Sequence, residues 1–434
     1  MKIPILPWSA AKPAPAVEAF LNRPAFDPVA EKTAAKILRD IRARGMDAVL
    51  DAIKKFQGAS LDASTLCVEN AALVASGRDL PQKTRAAIKH SHANIRAFAK
   101  AGMRCGWTQK TPGGGFLGEK FSPLDRVGIY VPGGTAPLVS SALMTATLAS
   151  VAGVPEIIAC TPCAPDGSIA PALLFALHTA GATEVCKAGG IQAIGLMAFG
   201  VEGFAPVQKI CGPGNAFVTA AKRQVFGHVA IDQVAGPSEI AIIADADANP
   251  EWVAADLLSQ AEHGSGHEKS LLITTCDKLA RAACDAFIRQ ATMLSRRAMI
   301  AKTVANGGVL IVRVPSLADA ATLANRFAAE HLEVMVKNPK SLLPRLHTAG
   351  AIFLGPWTPE AAGDFTAGPS HVLPTGGAAR MFSGLTADDF RRRSSLVHYT
   401  QNDLARDLPA IQTFGTLEGL DAHKRSAEIR FETK

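Results

Sequence analysis

From Arg126 onward the chain alternates short apolar runs with longer amphipathic stretches. Val127–Val131, Glu156–Cys160 and Glu184–Ala188 are separated by helical stretches at 139–152 and about 171–180. A second series, Glu239–Ala244, Ser270–Thr275, Val309–Val312, Leu332–Val336 and Ala351–Leu354, is likewise interrupted by helical segments. Strand–helix–strand alternation predicts parallel sheets covered by helices. Residues 27 to 102 read as helices with charged faces, and the chain after Gly384 as a charged, mostly helical arm. The expected fold is therefore α/β: two open, mostly parallel sheets, each an incomplete Rossmann-like domain, with a helical N-terminal region and a C-terminal helical arm. The expected division is 1–25 as a leading segment, 26–120 with 239–384 as one α/β domain, 121–238 as the other, and 385–434 as the arm.

Composition narrows the functional classes. The 434 residues are 48% hydrophobic and 19% charged, which excludes a disordered chain. The net charge of +7 is scattered, and the only dense basic run is Arg391-Arg392-Arg393, so a solvated or anion-facing surface is expected and nucleic-acid binding is not. The eight cysteines show no disulfide-scaffold spacing, which suits a reducing compartment. The proline-broken N-terminus makes a poor signal peptide, and no apolar stretch reads as a membrane span. A cytoplasmic protein is the expectation.

Chemistry shows where polar residues interrupt the apolar patterns. Asn249 reads as the N-cap and Pro250 as the first residue of a helix ending in Gln260-Ala261-Glu262-His263-Gly264. Its apolar stripe, Val253 and Leu257, continues with Gln260 and His263, two potential metal ligands on one helical face. Glu330-His331 lies where a helix of about 316–329 meets an apolar run, read as the usual place for a site in an open sheet; an adjacent acid and imidazole can divide two proton transfers. Gly363-Asp364 and the Glu418–His423 segment complete the constellation, and metal-assisted chemistry is the first hypothesis. Two glycine turns, Pro132-Gly133-Gly134-Thr135 and Cys211-Gly212-Pro213-Gly214-Asn215, follow strands as phosphate-binding turns do, although neither matches G-x-G-x-x-G. Cys160-Thr161-Pro162-Cys163 has redox-pair spacing but sits at a strand end, and a structural role is expected. His371 is expected behind the site, supporting it; His267 is left outside.

Taken in order, these segments resemble the L-histidinol dehydrogenase family over about 400 residues: Val127–Gly134, Lys209–Asn215, Ala235–Glu239, Asp256–His263, Glu330–Leu332, Ala362–Asp364 and His371–Gly377. The resemblance implies zinc held by Gln260, His263, Asp364 and His423, and NAD contacted by Tyr130, Gln192 and Asn215. It implies that Ser238 and Glu418 contact an amino-alcohol substrate, together with Gln260, His263, His331, Asp364 and His423. It further implies Glu330 and His331 as the proton-transfer pair, with 121–238 binding NAD and the other α/β domain binding zinc and substrate. The family reaction oxidises L-histidinol to L-histidine in two NAD-dependent steps through an enzyme-held aldehyde. Family members are homodimers whose arm reaches the partner's site, which would make Glu418 and His423 ligands supplied in trans. Phe365, Ser370 and Ile191 depart from the family's usual residues, which bears on substrate identity. The alternatives are a paralogue acting on another alcohol, such as a sulfonated diol, and a non-catalytic scaffold or nucleic-acid-binding protein.

Overall fold

The structure is a computed structural model that describes residues 1–22, 26–133, 138–234 and 236–432. Gly134 and Thr135 of the first glycine turn, and Ala235 of the Ala235–Glu239 motif, lie outside the described residues. Fourteen strands are present among the described residues: β1 Ile5–Pro7, β2 Trp107–Lys110, β3 Phe116–Pro123, β4 Arg126–Tyr130, β5 Glu156–Cys160, β6 Glu184–Cys186, β7 Lys209–Cys211, β8 Ala230–Ile231, β9 Glu239–Ala244, β10 Lys269–Thr274, β11 Val309–Arg313, β12 His331–Met335, β13 Ala351–Leu354 and β14 Arg391–His398. No helix of the described residues is long and apolar enough to cross a membrane.

The chain divides into two compact units, residues 1–102 with 125–390, and residues 103–124 with 391–434. The first holds both expected parallel sheets. In one, the order is β6-β5-β4-β7-β8; in the other, β1-β11-β10-β9-β12-β13. Each winds outward both ways from a starting strand, β4 in the first and β9 in the second, so each has a switch point where strand order reverses. The runs are continuously apolar because helices cover both faces: all six residues of β9 are buried. Helices Pro28–Arg44 and Met46–Gln57 share one core with the five-stranded sheet through Leu38, Ile41, Val49 and Ile53. The six-stranded sheet has a core on each face, one around Phe327 and one around Phe287.

The second unit contains strands that the sequence pattern did not indicate. β14, from the supposedly helical arm, pairs antiparallel with β3, and β3 with β2. Helices Gln401–Leu417 and Asp421–Glu428 follow. The first is started by a capping box of Thr400 and Asp403, and the Asp403 carboxylate also accepts the N–H groups of Gly113 (2.7 Å) and Gly115 (3.0 Å), tying the hairpin to the helix start.

A candidate metal and proton-transfer site

The helix Pro250–Ala261 begins as its sequence predicts, with Asn249 accepting from the Glu251 N–H at 2.9 Å and Pro250 at the first position. It ends a residue or two earlier than the Gly264 stop suggested, at Ala261 with Glu262 as its cap, so His263 sits just beyond the helix. The His263 ring turns back on the last turn: Nδ1 lies 3.2 Å from the carbonyls of both Ser259 and Gln260. A proton on Nδ1 serves those carbonyls and leaves Nε2 as a bare lone pair, the form in which imidazole ligates metals.

Glu330 and His331 stand at the amino end of β12, beside the amino end of β9. Open α/β sheets usually bind ligands at the carboxyl ends, so the position expected from sequence is corrected: this cluster occupies the opposite end of the switch point. Glu330 is buried, and its Oε2 accepts the Glu239 N–H at 3.0 Å. Ser238 immediately precedes that strand, half-buried. His331 Nδ1 lies 3.0 Å from Gln260 Oε1 and 3.3 Å from the Glu239 carbonyl, so a proton there satisfies both acceptors. Its Nε2 is buried without a hydrogen-bond partner and faces Asp364 Oδ1 at 3.5 Å. Gln260 Nε2 also lies 3.3 Å from His263 Nδ1, a donor-to-donor approach when that nitrogen carries the proton, so the Gln260 side chain sits between the two imidazoles and is hydrogen-bonded to His331.

Asp364 comes from the short helix Glu360–Phe365. A Cβ on Gly363 would fall 2.5 Å from the Phe353 ring, so glycine lets this helix close against Phe353, whose ring also packs on His331. His371 Nδ1 is 3.1 Å from the Asp364 carbonyl, and its Nε2 is 3.1 Å from Ser141 Oγ, the supporting position expected for it.

Electrostatics divide the carboxylates. Burial pushes Glu330 up to about 7, with Asp364 adding to the rise against the opposing field of His331. Burial works against a charged His331, but Glu330 and Asp364 outweigh it and push the imidazole up to about 9. Burial also opposes the Asp364 charge, yet the adjacent His331 imidazole and the field of His371 hold its carboxyl well below the usual range. Asp364 is thus an anion, and Glu330 is poised to exchange a proton near neutral pH.

Sequence reading missed a second tier of buried acids. Glu360, one turn before Asp364, accepts from Ser259 Oγ at 2.7 Å, and with His331 and Asp364 it forms a group whose ligand atoms lie within 4.8 Å of one another. Burial, then Asp364, raises Glu360 to about 7. Glu333 accepts the Glu360 N–H at 2.7 Å, and burial followed by the neighbouring Asp256 pushes its carboxyl well above the ordinary range. The available signals were Glu360 four positions before Asp364 on one helix, and Glu333 as the acid inside the apolar run Leu332–Val336.

The other predicted residues lie elsewhere. Tyr130, Gln192 and Asn215 stand at or just after the carboxyl ends of β4, β6 and β7, and β4 and β7 flank the switch point of the five-stranded sheet. Tyr130 is buried and its hydroxyl accepts the Gly190 N–H at 3.0 Å; Gln192 is buried on the helix that Gly190 starts. Asn215 caps the helix Ala216–Val225, its Oδ1 accepting from Phe217 (3.1 Å) and Val218 (3.2 Å). Gly212 runs at φ +122, and a Cβ there would fall 2.1 Å from the Tyr130 carbonyl, so only glycine allows this approach. Glu418 caps the end of helix Gln401–Leu417 and His423 lies on Asp421–Glu428, both in the second unit.

An open α/β fold with a buried imidazole–carboxylate cluster defines a candidate enzyme, and comparison with known proteins makes the class specific. The histidinol dehydrogenase family profile matches residues 22–431. Histidinol dehydrogenase from Heliobacterium mobile is 43% identical over 398 residues, 92% of this chain and 93% of the relative, and that from a Synechococcus species is 43% identical over 416 residues, 95% of each. The crystal structure of histidinol dehydrogenase from Elizabethkingia anophelis is 34% identical, with a TM-score of 0.92 over 99% of this chain and 98% of that one. The chain belongs to the histidinol dehydrogenase family and is an oxidoreductase.

Proposed function

We propose that this protein oxidises L-histidinol to L-histidine, the last step of histidine biosynthesis, with one Zn²⁺ per chain and two NAD. Each turnover converts a primary alcohol, one water and two NAD⁺ into a carboxylate, two NADH and three protons. The observation that carries the reading is the buried His331–Gln260–Asp364 cluster with its unpartnered His331 Nε2, in a chain of this family.

The residues fit a borderline cation. His263 offers a free Nε2, Gln260 a carbonyl oxygen and Asp364 a carboxylate kept anionic, and His423 is proposed as the fourth ligand. When bound, zinc supplies positive charge that orients the substrate's nitrogens and offsets the Asp364 field on His331. NAD supplies the hydride acceptor for each oxidation, and Tyr130, Gln192 and Asn215 are proposed to line its site at the switch point of the five-stranded sheet.

The chain's own residues handle the protons. Raised to about 9 by Glu330 and Asp364, His331 must first give up its Nε2 proton, which a cation held at Asp364 would favour; with its Nδ1 proton held by Gln260 Oε1 and the Glu239 carbonyl, the neutral ring then presents Nε2 to the substrate hydroxyl and takes its proton in the first oxidation. Glu330, raised to about 7, takes a proton from the water that hydrates the aldehyde. The hydrate is then oxidised to the acid, and Ser238 is proposed to hold substrate at the amino end of β9.

Val397, Phe414, Leu417 and Ile429 of the second unit are all more than half exposed, which supports an arm that packs on a partner. The proposed assembly is a cytoplasmic homodimer in which Glu418 and His423 serve the partner's site.

Metal analysis tests the ligand set. After dialysis the protein should retain one zinc per chain and reduce NAD with histidinol, whereas His263→Ala and Asp364→Ala should each lose zinc and activity with unchanged far-UV circular dichroism. Stoichiometric zinc in both variants would remove the assignment.

A further inference from the structure

β6 is an edge strand of the five-stranded sheet, and the chain around Cys67 runs antiparallel along it. The Val68 N–H donates to the Val185 carbonyl and the Lys187 N–H to the Leu66 carbonyl, both at 2.8 Å. These two bonds bracket Cys67 and Cys186, which makes them a directly opposed pair that exchanges no hydrogen bond. In such a pair the side chains share a face and the Cα atoms stand about 4.5 Å apart, inside the range a disulfide spans. The two sulfurs are already 2.6 Å apart. Two thiolates on one tetrahedral ion would stand about 3.8 Å apart, so this contact favours a sulfur–sulfur bond over a shared metal, although Glu184 Oε1 also lies 3.2 Å from Cys67 Sγ.

We propose that Cys67 and Cys186 close a reversible cross-strand disulfide that fastens the segment before helix Asn70–Ala75 to the open edge of the sheet. The oxidant class is a small-molecule disulfide such as oxidised glutathione. Cys67, half-buried, is the sulfur reached from outside, while Cys186 is buried. The Cys67 thiolate attacks the small disulfide and expels one thiol, leaving a mixed disulfide. The Cys186 thiolate then attacks the Cys67 sulfur and expels the second. Two electrons pass from the protein pair to the small disulfide, and the two thiol protons end on the released thiols. Cys160 is in register with Cys186 on the neighbouring strand but is fully buried, so it is the resting third thiol of the row. The Cys186 contact, then burial, raises the Cys67 thiol; the Cys160 contact heads the causes that raise Cys186. Both thiols are thus mostly protonated and exchange is slow, which suits a latch more than a fast sensor.

The closed bond would join positions 119 residues apart in sequence and lock in place the segment whose backbone already pairs with the outer edge of β6. The full-length protein, incubated with oxidised glutathione at about pH 8.5 or with excess dithiothreitol, is alkylated and digested for mass spectrometry. The expected product is a peptide pair linked through Cys67 and Cys186, two hydrogens lighter than the free peptides. The melting temperature of the oxidised protein should rise by roughly 3 to 5 °C, reversibly, and the rise should vanish in Cys67→Ser but persist in Cys160→Ser. Alkylation of both thiols after oxidation, arrest at a glutathione adduct on Cys67, or a Cys160–Cys186 link would each overturn the proposal, and the wild-type peptide map decides this even if a variant folds poorly. Zinc found on the pair in the reduced protein would overturn it in favour of a metal site.

Discussion

Replacing Lys222 by methionine should damage both stability and the proposed NAD site while leaving zinc in place. Lys222 and Asp232 form a contact ion pair whose side chains are each only 3% exposed. Between them they grip Gly212: Lys222 Nζ donates to its carbonyl at 2.9 Å, and Asp232 Oδ2 accepts its N–H at 2.7 Å. Lys222→Met leaves the Asp232 carboxylate buried and uncompensated, a change that costs about 3 to 5 kcal/mol when one partner of a buried pair is removed. The Gly212 and Gln233 N–H groups still reach Asp232, which sets the expectation at the lower end, about 3 kcal/mol. Neutralising the partner as well, in Lys222→Met/Asp232→Asn, should recover more than half of that loss, because the unpaired charge is then gone. Urea unfolding of all three proteins measures the difference. Because the pair also anchors the Gly212–Asn215 turn, KM for NAD should rise about tenfold, the equivalent of roughly 1.4 kcal/mol, with bound zinc unchanged. A single variant that loses less than about 1 kcal/mol, or a double variant less stable than the single, would refute the reasoning from an uncompensated buried charge.

Two further predictions concern the proton-transfer residues and the arm. Oxidation of supplied aldehyde should fall as pH drops through about 7, because Glu330 must be deprotonated to act and its folded value is raised to that level; Glu330→Gln should lose this limb and retain more of the alcohol step than of the aldehyde step. Wild-type aldehyde oxidation by Glu330→Gln would discard the role. Inactive His423→Ala and His263→Ala chains, co-expressed, should complement, since one site of each mixed dimer receives every ligand; verified heterodimers without activity would place His423 in its own chain's site or require both sites to be intact.

The parallel sheets were legible because strands buried on both faces leave continuous apolar runs: β5 and β9 fall on the expected residues, as do the helices Val139–Ala152 and Pro171–Ala180, and the edge strand β13 was found by its apolar run although of its residues only Phe353 is buried. β2 and β14 were not, since their residues are exposed or at most half-buried, and Arg391-Arg392-Arg393 reads as solvated surface whether helical or extended. β1 was hidden by Pro4 and Pro7, and it pairs with β11, some 300 residues away. In the site, Gln260, His263 and Glu330-His331 were visible as polar residues breaking apolar patterns. Glu333, Glu360 and Asp256 were passed over: Glu333 interrupts an apolar run and Glu360 is spaced to share a face with Asp364, but what sets them apart is burial against one another, a contact between β12 and two helices that those local signals do not specify.

The central claim is that one site carries out two successive oxidations on histidinol, and the ratio of NADH formed to histidinol consumed tests it most directly. With limiting L-histidinol and excess NAD, absorbance at about 340 nm gives NADH, and amino-acid analysis of the same sample gives the product. The account predicts two NADH for each histidinol, L-histidine in equal amount to the alcohol consumed, and no accumulated aldehyde. One NADH per histidinol with free aldehyde, or no NADH from histidinol under conditions where another alcohol is oxidised, would contradict it.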